Sequence, residues 1–269
     1  MKTKMPRIIA VSSGKGGVGK THIVANMALI FRGLQKKVLL MDADVGLSNI
    51  DIMFGIAPKY NIKHLLMDEK SFKDIIVSYS DGVDIIPASS GIRELTQLSL
   101  EQKMKIITEI ENIDRDYDIF LIDVGAGISD NITFFCSVAH DNVVVLNSEP
   151  TSIADAYALI KILYKEYGEK NFRIVINSVK NQKEAKDTFR KISLVSERFL
   201  NLSLDYLGAL PFDERNRDAI ILQKPFVNLY PTSDFSKKLR DIAKELLTRE
   251  VNLLKGGMQF FFKRALQVG

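Results

Sequence analysis

At 269 residues, 46% hydrophobic and 26% charged, the chain has the composition of an ordinary globular protein long enough to bury one large α/β core. Its net charge of +4 is too small for composition alone to suggest nucleic-acid binding, and one cysteine, Cys136, excludes disulfides and cysteine-held iron–sulfur or zinc clusters within a single chain. No stretch approaches the roughly 18 apolar residues of a membrane span, and Met1 to Pro6 is basic without the apolar run of a signal peptide, so a cytoplasmic, reducing location is expected.

In chain order, Arg7 to Val11 is an apolar, β-branched run and predicts a strand. It leads into Ser13-Gly14-Lys15-Gly16-Gly17-Val18-Gly19-Lys20-Thr21, where Gly14 to Thr21 fits the phosphate-loop pattern G-x-x-x-x-G-K-[ST]. Glycines let successive backbone N–H groups converge on an anion, a following helix adds its positive end, and a lysine neutralises the outer phosphates. Ile23 to Phe31 supplies that helix, ended by Gly33. Lys37 to Met41 then reads as a buried strand whose C-terminal edge carries Asp42 and Asp44. Open parallel sheets bind ligands at that edge, so both carboxylates fall beside the phosphate loop. Met53 to Asp81 is expected to be a helical connection, with His64 a partly exposed helix residue.

Val83 to Ala88 is the third predicted strand and Leu100 to Glu111 a helix. Tyr117 to Gly127 is a strong apolar strand ending in Asp123, Gly125 and Gly127, the second element a phosphate loop requires. An aspartate there can hold a Mg2+ shell through water, and a nearby glycine frees the backbone to respond to a γ-phosphate. Cys136 reads as a buried small hydrophobe. Strands at Asn142 to Leu146, Phe172 to Ile176 and Leu204 to Leu210 alternate with helices at Ile153 to Tyr167 and Lys183 to Leu200. Such alternation predicts an α/β protein with a doubly wound, mostly parallel sheet flanked by helices.

Ser236 to Lys255 has the spacing of a helix packed on the body, closing a single domain over residues 1–255. Residues 236–269 carry eight basic against three acidic side chains, a net +5, which leaves the rest of the chain near −1. After the Gly256-Gly257 break, Met258, Phe261, Phe262, Ala265 and Leu266 fall on one helical face, with Gln259, Lys263, Arg264 and Gln267 opposite. An amphipathic helix over residues 256–269 suits the headgroup region of an anionic membrane, the alternative being a terminal helix docked on the protein itself or on a partner subunit.

With a lysine near the start of the loop, Lys15, as well as at its end, the loop resembles the deviant phosphate loop of the MinD/ParA family. Asp42 to Asp51 is similar to that family's first switch, Ile122 to Gly127 to its second, and Ser148 to Tyr157 to its dimer-facing segment. Leu207 to Asp213, Gln223 to Phe226 and the ending Phe261-Phe262-Lys263-Arg264 look most like the FlhG (YlxH, FleN) branch, which regulates flagellar number and placement.

The resemblance implies a slow, Mg2+-dependent ATPase cycling between ATP and ADP. Gly14, Gly16, Gly17, Val18 and Gly19 would cradle the phosphates, Lys20 would bind the β- and γ-phosphates, and Lys15 would reach across an ATP-sandwiched homodimer to the partner's nucleotide. Asp44 would position the attacking water; Thr21, Asp42 and Asp123 would serve the metal. Asn177 would read the adenine edge with the backbone near Pro211, and Glu149 and Asp155 would lie at the dimer face. His22 stands where the family usually has Thr or Ser, and is expected to donate to the α-phosphate in its place; Val124 stands where many relatives have Thr. Met258, Phe261, Phe262, Lys263, Arg264 and Leu266 would hold the inner face of the cell membrane. The implied partners are anionic lipids, the FlhF GTPase and flagellar switch (C-ring) components. Only about six residues precede the first strand, so the amino-terminal segment that stimulates FlhF in many relatives is expected to be missing. A MinD-type division-site regulator and a ParA-type DNA segregator are the alternatives; the Phe-rich tail argues against the latter, and nucleic acid is not an expected partner.

Overall fold

A computed structural model describes residues 6–44, 49–88, 97–113 and 117–250. The first half contains β1 (Arg7–Ser13), α1 (Lys20–Gly33), β2 (Val38–Asp42), α2 (Ile50–Phe54), α3 (Ile62–Leu66), α4 (Phe72–Ile75), β3 (Val77–Ser80), β4 (Val83–Ile86), α5 (Leu100–Glu111) and β5 (Ile119–Ala126). It continues with α6 (Asp130–Val138), β6 (Asp141–Leu146), α7 (Pro150–Tyr167), β7 (Phe172–Val179), α8 (Gln182–Leu200), β8 (Asp205–Pro211), α9 (Arg215–Ile221), α10 (Phe226–Leu229) and α11 (Asp234–Thr248). Eight strands form one sheet in the order β3-β4-β2-β5-β1-β6-β7-β8. All neighbours are parallel except β3, which is antiparallel to β4. The doubly wound, mostly parallel α/β sheet expected from the strand–helix alternation is the fold of this chain.

The continuous apolar runs of the strands follow from helices covering both faces. Successive side chains of a strand point to opposite faces, so Ile8 and Ala10 enter one apolar layer and Ile9 and Val11 the other. Phe120, Ile122 and Val124 likewise alternate with Ile119 and Leu121. One layer is covered by α1, α2, α10 and α11, the other by α3 to α8. β1 sits centrally between β5 and β6, and the chain crosses from it to β2 beyond β5. Its carboxyl end is therefore a crevice at a topological switch point, where doubly wound folds bind ligands.

Two elements differ from the sequence expectation. Val77–Ser80 is an edge strand, where a helical connection was expected through Asp81. Its signal was Asp81-Gly82, a two-residue hairpin turn with Gly82 at φ +88°, masked by the shortness of the four-residue strand before it. Helix α11 ends at Thr248, and Arg249 is extended, where the apolar spacing predicted helix to Lys255. The Arg7 side chain donates to the Leu247 carbonyl and Arg173 to that of Glu250, while Arg249 pairs with Asp205 and Glu245. This network ties the backbone to the amino-terminal ends of β1, β7 and β8, an alternative to further helical turns. The expected helix at Met258, Phe261, Phe262, Lys263, Arg264 and Leu266, and residues 45–48 of the expected first switch, lie outside the described residues.

Candidate functional site

The loop after β1 is built by three different uses of glycine. A Cβ on Gly14 would stand 2.1–2.4 Å from backbone atoms of Asp155 and Ala156, so Gly14 lets the loop lie directly on α7 and does not face the crevice. Gly17 (φ +78°) and Gly19 (φ +87°) adopt left-handed backbone, and a Cβ on Gly16 or Gly17 would meet nothing within 4 Å. Those open positions form a concave wall, and Gly19 caps the start of α1, whose positive end faces it. Ser13 Oγ donates to the Lys15 carbonyl, and the Gly127 N–H to the Ser13 carbonyl, joining the loop to the segment after β5. Between them lies a cavity of about 630 Å3 lined by Gly16 to His22, Asp44, Gly125 and Ile220, among others. A larger cleft of about 810 Å3 beside the β3–β4 hairpin has walls of both charge signs and lies away from the carboxyl ends of the parallel strands, so the loop cavity is the site.

Lys20, Asp42 and Asp123 are all buried beneath it. Lys20 Nζ meets Asp123 Oδ1 at 2.5 Å, and Asp42 pairs with Asp123 across β2 and β5. Asp42 accepts backbone N–H bonds from Asp44, Asn49 and Ile50. Burial and then the charge of Asp123 nonetheless push the Asp42 carboxyl up to about 7, against those three donors. Two adjacent buried carboxylates with one lysine, paired to Asp123, are short of positive charge, and this donor set fits a divalent cation. Among the described residues no group of three or more His, Cys, Asp or Glu forms a metal cage. Mg2+ draws most of its shell from water and phosphate oxygens, and the two carboxylates present fit such a site. The Asp44 carboxylate lies over Gly125, 3.5–3.6 Å from where a Cβ would be, at the meeting of the two loops.

The remaining expected residues fall in three places. Lys15 does not line the cavity; its Nζ bonds Glu149 Oε2 at 2.5 Å and Thr151 Oγ1 at 2.9 Å on the outer surface, and Lys15 holds the Glu149 carboxyl below its usual range. Asp155 is exposed on the same helix. Asn177 turns onto the loop backbone, its Nδ2 donating to the Val18 carbonyl at 2.8 Å, and Pro211 ends β8 beside it; neither lines the cavity. His22 is buried, its Nε2 2.7 Å from Asn216 Oδ1 and its ring against Phe226 and Phe235. Burial pushes its pKa down to about 4, so the ring is neutral and donates to Asn216. Val124 is core, and buried Cys136 has its thiol pushed up to about 12. Asn216 and Ile220 escaped the sequence reading, because no motif marks a side chain that reaches the loop from far along the chain.

Residues 6–181 match the family described as an AAA domain. The antiactivator FleN of Pseudomonas aeruginosa is 35% identical over 262 residues, 97% of this chain and 94% of that one. The flagellum site-determining protein YlxH of Helicobacter pylori is 33% identical, over 97% of this chain and 90% of its own. The MinC:MinD cell division protein complex of Aquifex aeolicus contains a chain that superposes with a TM-score of 0.75 at 27% identity, covering 92% of this chain and 98% of that one.

The chain belongs to the MinD/ParA family of P-loop ATPases, most like its FleN/YlxH branch. As a member of that family it is a nucleotide-binding, ATP-hydrolysing enzyme.

Proposed function

We propose that this ATPase is a Mg2+-dependent switch that dimerises on ATP, attaches reversibly to the inner face of the cell membrane, and regulates flagellar number and placement. The observation that carries the dimer is Lys15. Its ammonium lies on the surface bonded to Glu149 and Thr151, outside its own chain's cavity, where it is free of the role of holding its own chain's phosphates and in this reading reaches a second copy's. The flagellar role is supported by likeness to an antiactivator FleN and a flagellum site-determining YlxH along almost the whole chain.

In this reading the backbone N–H groups of Gly16 to Thr21 hold phosphate oxygens and Lys20 leaves Asp123 to neutralise the β- and γ-phosphates. Thr21, Asp42 and Asp123 would hold Mg2+, which supplies further neutralisation of phosphate charge. Asp44 orients the attacking water, while Asn177, turned from the Val18 carbonyl it holds in this structure, and the Pro211 backbone take the adenine edge just outside the cavity. Two tails presented by one dimer bind anionic lipid far better than one, so hydrolysis releases both contacts together. FlhF and C-ring components are the protein partners this reading implies.

Asp44→Ala should abolish hydrolysis and accumulate an ATP-bound dimer on size-exclusion chromatography; a variant that stays monomeric in ATP refutes the role given to Asp44. Deleting residues 256–269 should eliminate ATP-dependent sedimentation with anionic liposomes, and unchanged sedimentation would remove the tail as the anchor.

A further inference from the structure

Helix α9 is seven residues long, has no side-chain cap, and buries only Ala219. Such a helix does not hold its own place, yet its Ile220 lines the nucleotide cavity. Three attachments secure it. Asp213 and Arg215 pair immediately before and at its first turn. At its far end the Gln223 carbonyl lies 3.0 Å from where a Cβ on Gly55 would be, and Gly55 has φ +61°, so a glycine after α2 eases that approach. Between these, Asn216 Oδ1 accepts from His22 Nε2 at 2.7 Å, joining the first turn of α1 to α9 across 194 positions of sequence. His22 is itself clamped: its carbonyl accepts from Asn26 Nδ2, Asn26 Oδ1 accepts from the Val227 N–H of α10, and the ring stands against Phe226 and Phe235.

We propose that His22 is a positioning residue that fastens α9 to the phosphate loop's helix, so that the loop and the Ile220 wall form one rigid nucleotide cavity. The inference rests on the nucleotide-site reading above, and it replaces the expected donation to the α-phosphate, because the Nε2 hydrogen is committed to Asn216. The imidazole touches no reacting atom; it acts through Asn216.

The test measures binding of a fluorescent ADP with Mg2+, steady-state ATPase kinetics and thermal unfolding for His22→Ala, Asn216→Ala, their double variant and Asn216→Asp. Losing one hydrogen bond in the wall should weaken ADP binding about three- to tenfold and raise the KM for ATP similarly, leaving kcat near the unsubstituted value. The double variant should bind no worse than the weaker single one, and Asn216→Asp, which still accepts from His22, should restore affinity to within about twofold. Asn216 is only part-buried, so Asn216→Ala keeps the experiment decisive if His22→Ala unfolds. Unchanged affinity in Asn216→Ala, or single effects that multiply in the double variant, overturns the inference. Failure of the unsubstituted protein to bind ADP at all is a separate result, which removes the nucleotide site and this inference with it.

Discussion

Replacing Lys20 with methionine is expected to bring ATP hydrolysis below detection and to destabilise the nucleotide-free protein by about 3 kcal/mol, the usual cost of orphaning one partner of a buried ion pair. Methionine keeps the apolar stem, so packing changes little, while Asp123 loses the cation 2.5 Å away and is left beside Asp42 in the interior. The loss should depend on pH. Asp42 already has a folded pKa near 7, raised from 3.8, so folding takes up a proton between those values and the group's contribution to stability falls as pH rises through that window. Without Lys20 the two carboxylates repel more strongly. The deficit in chemical denaturation should therefore be larger at pH 8 than at pH 5.5. An equal or smaller deficit at pH 8 would mean that the lysine does not hold the carboxylate pair.

The second large effect is at Gly14. An alanine methyl there would sit 2.1–2.4 Å from the α7 backbone at Asp155 and Ala156, contacts that no side-chain rotation can relieve. Gly14→Ala should cost about 3 kcal/mol, at the upper end of overpacking losses, and weaken ATP binding at least tenfold as the loop lifts from α7. Gly16→Ala is the control. Nothing lies within 4 Å of its Cβ, so unfolding should shift by no more than about 0.5 kcal/mol, while ATP affinity falls because the methyl enters the phosphate cradle. Equal melting temperatures for the two variants would refute the packing role of Gly14.

Most of the site's chemistry was legible in the chain because it is local. A phosphate loop needs its glycines and lysine at fixed spacing, and Asp42, Asp44 and Asp123 announce themselves as carboxylates at the ends of apolar strands. Central parallel strands buried on both faces must be apolar throughout, which is why β1, β2, β5, β6 and β7 stand out. The edge strand β3, with half-buried and exposed residues, lacks that signal, and the end of α11 depends on arginines from two strands, Arg7 and Arg173, and on Arg249 pairing with Asp205 of a third.

The sequence by itself determined the strand–loop–helix order, the class of ligand and the candidate carboxylates, since each is written in neighbouring residues. Tertiary structure alone decided which role each residue has in this state. Gly14 faces α7, Asn177 holds the Val18 carbonyl, Lys15 rests on Glu149, and His22 turns from the phosphates to Asn216. Those outcomes rest on contacts between residues 134 to 194 positions apart. Local spacing carries no record of them, because they are selected by which surfaces the packed sheet and helices bring together.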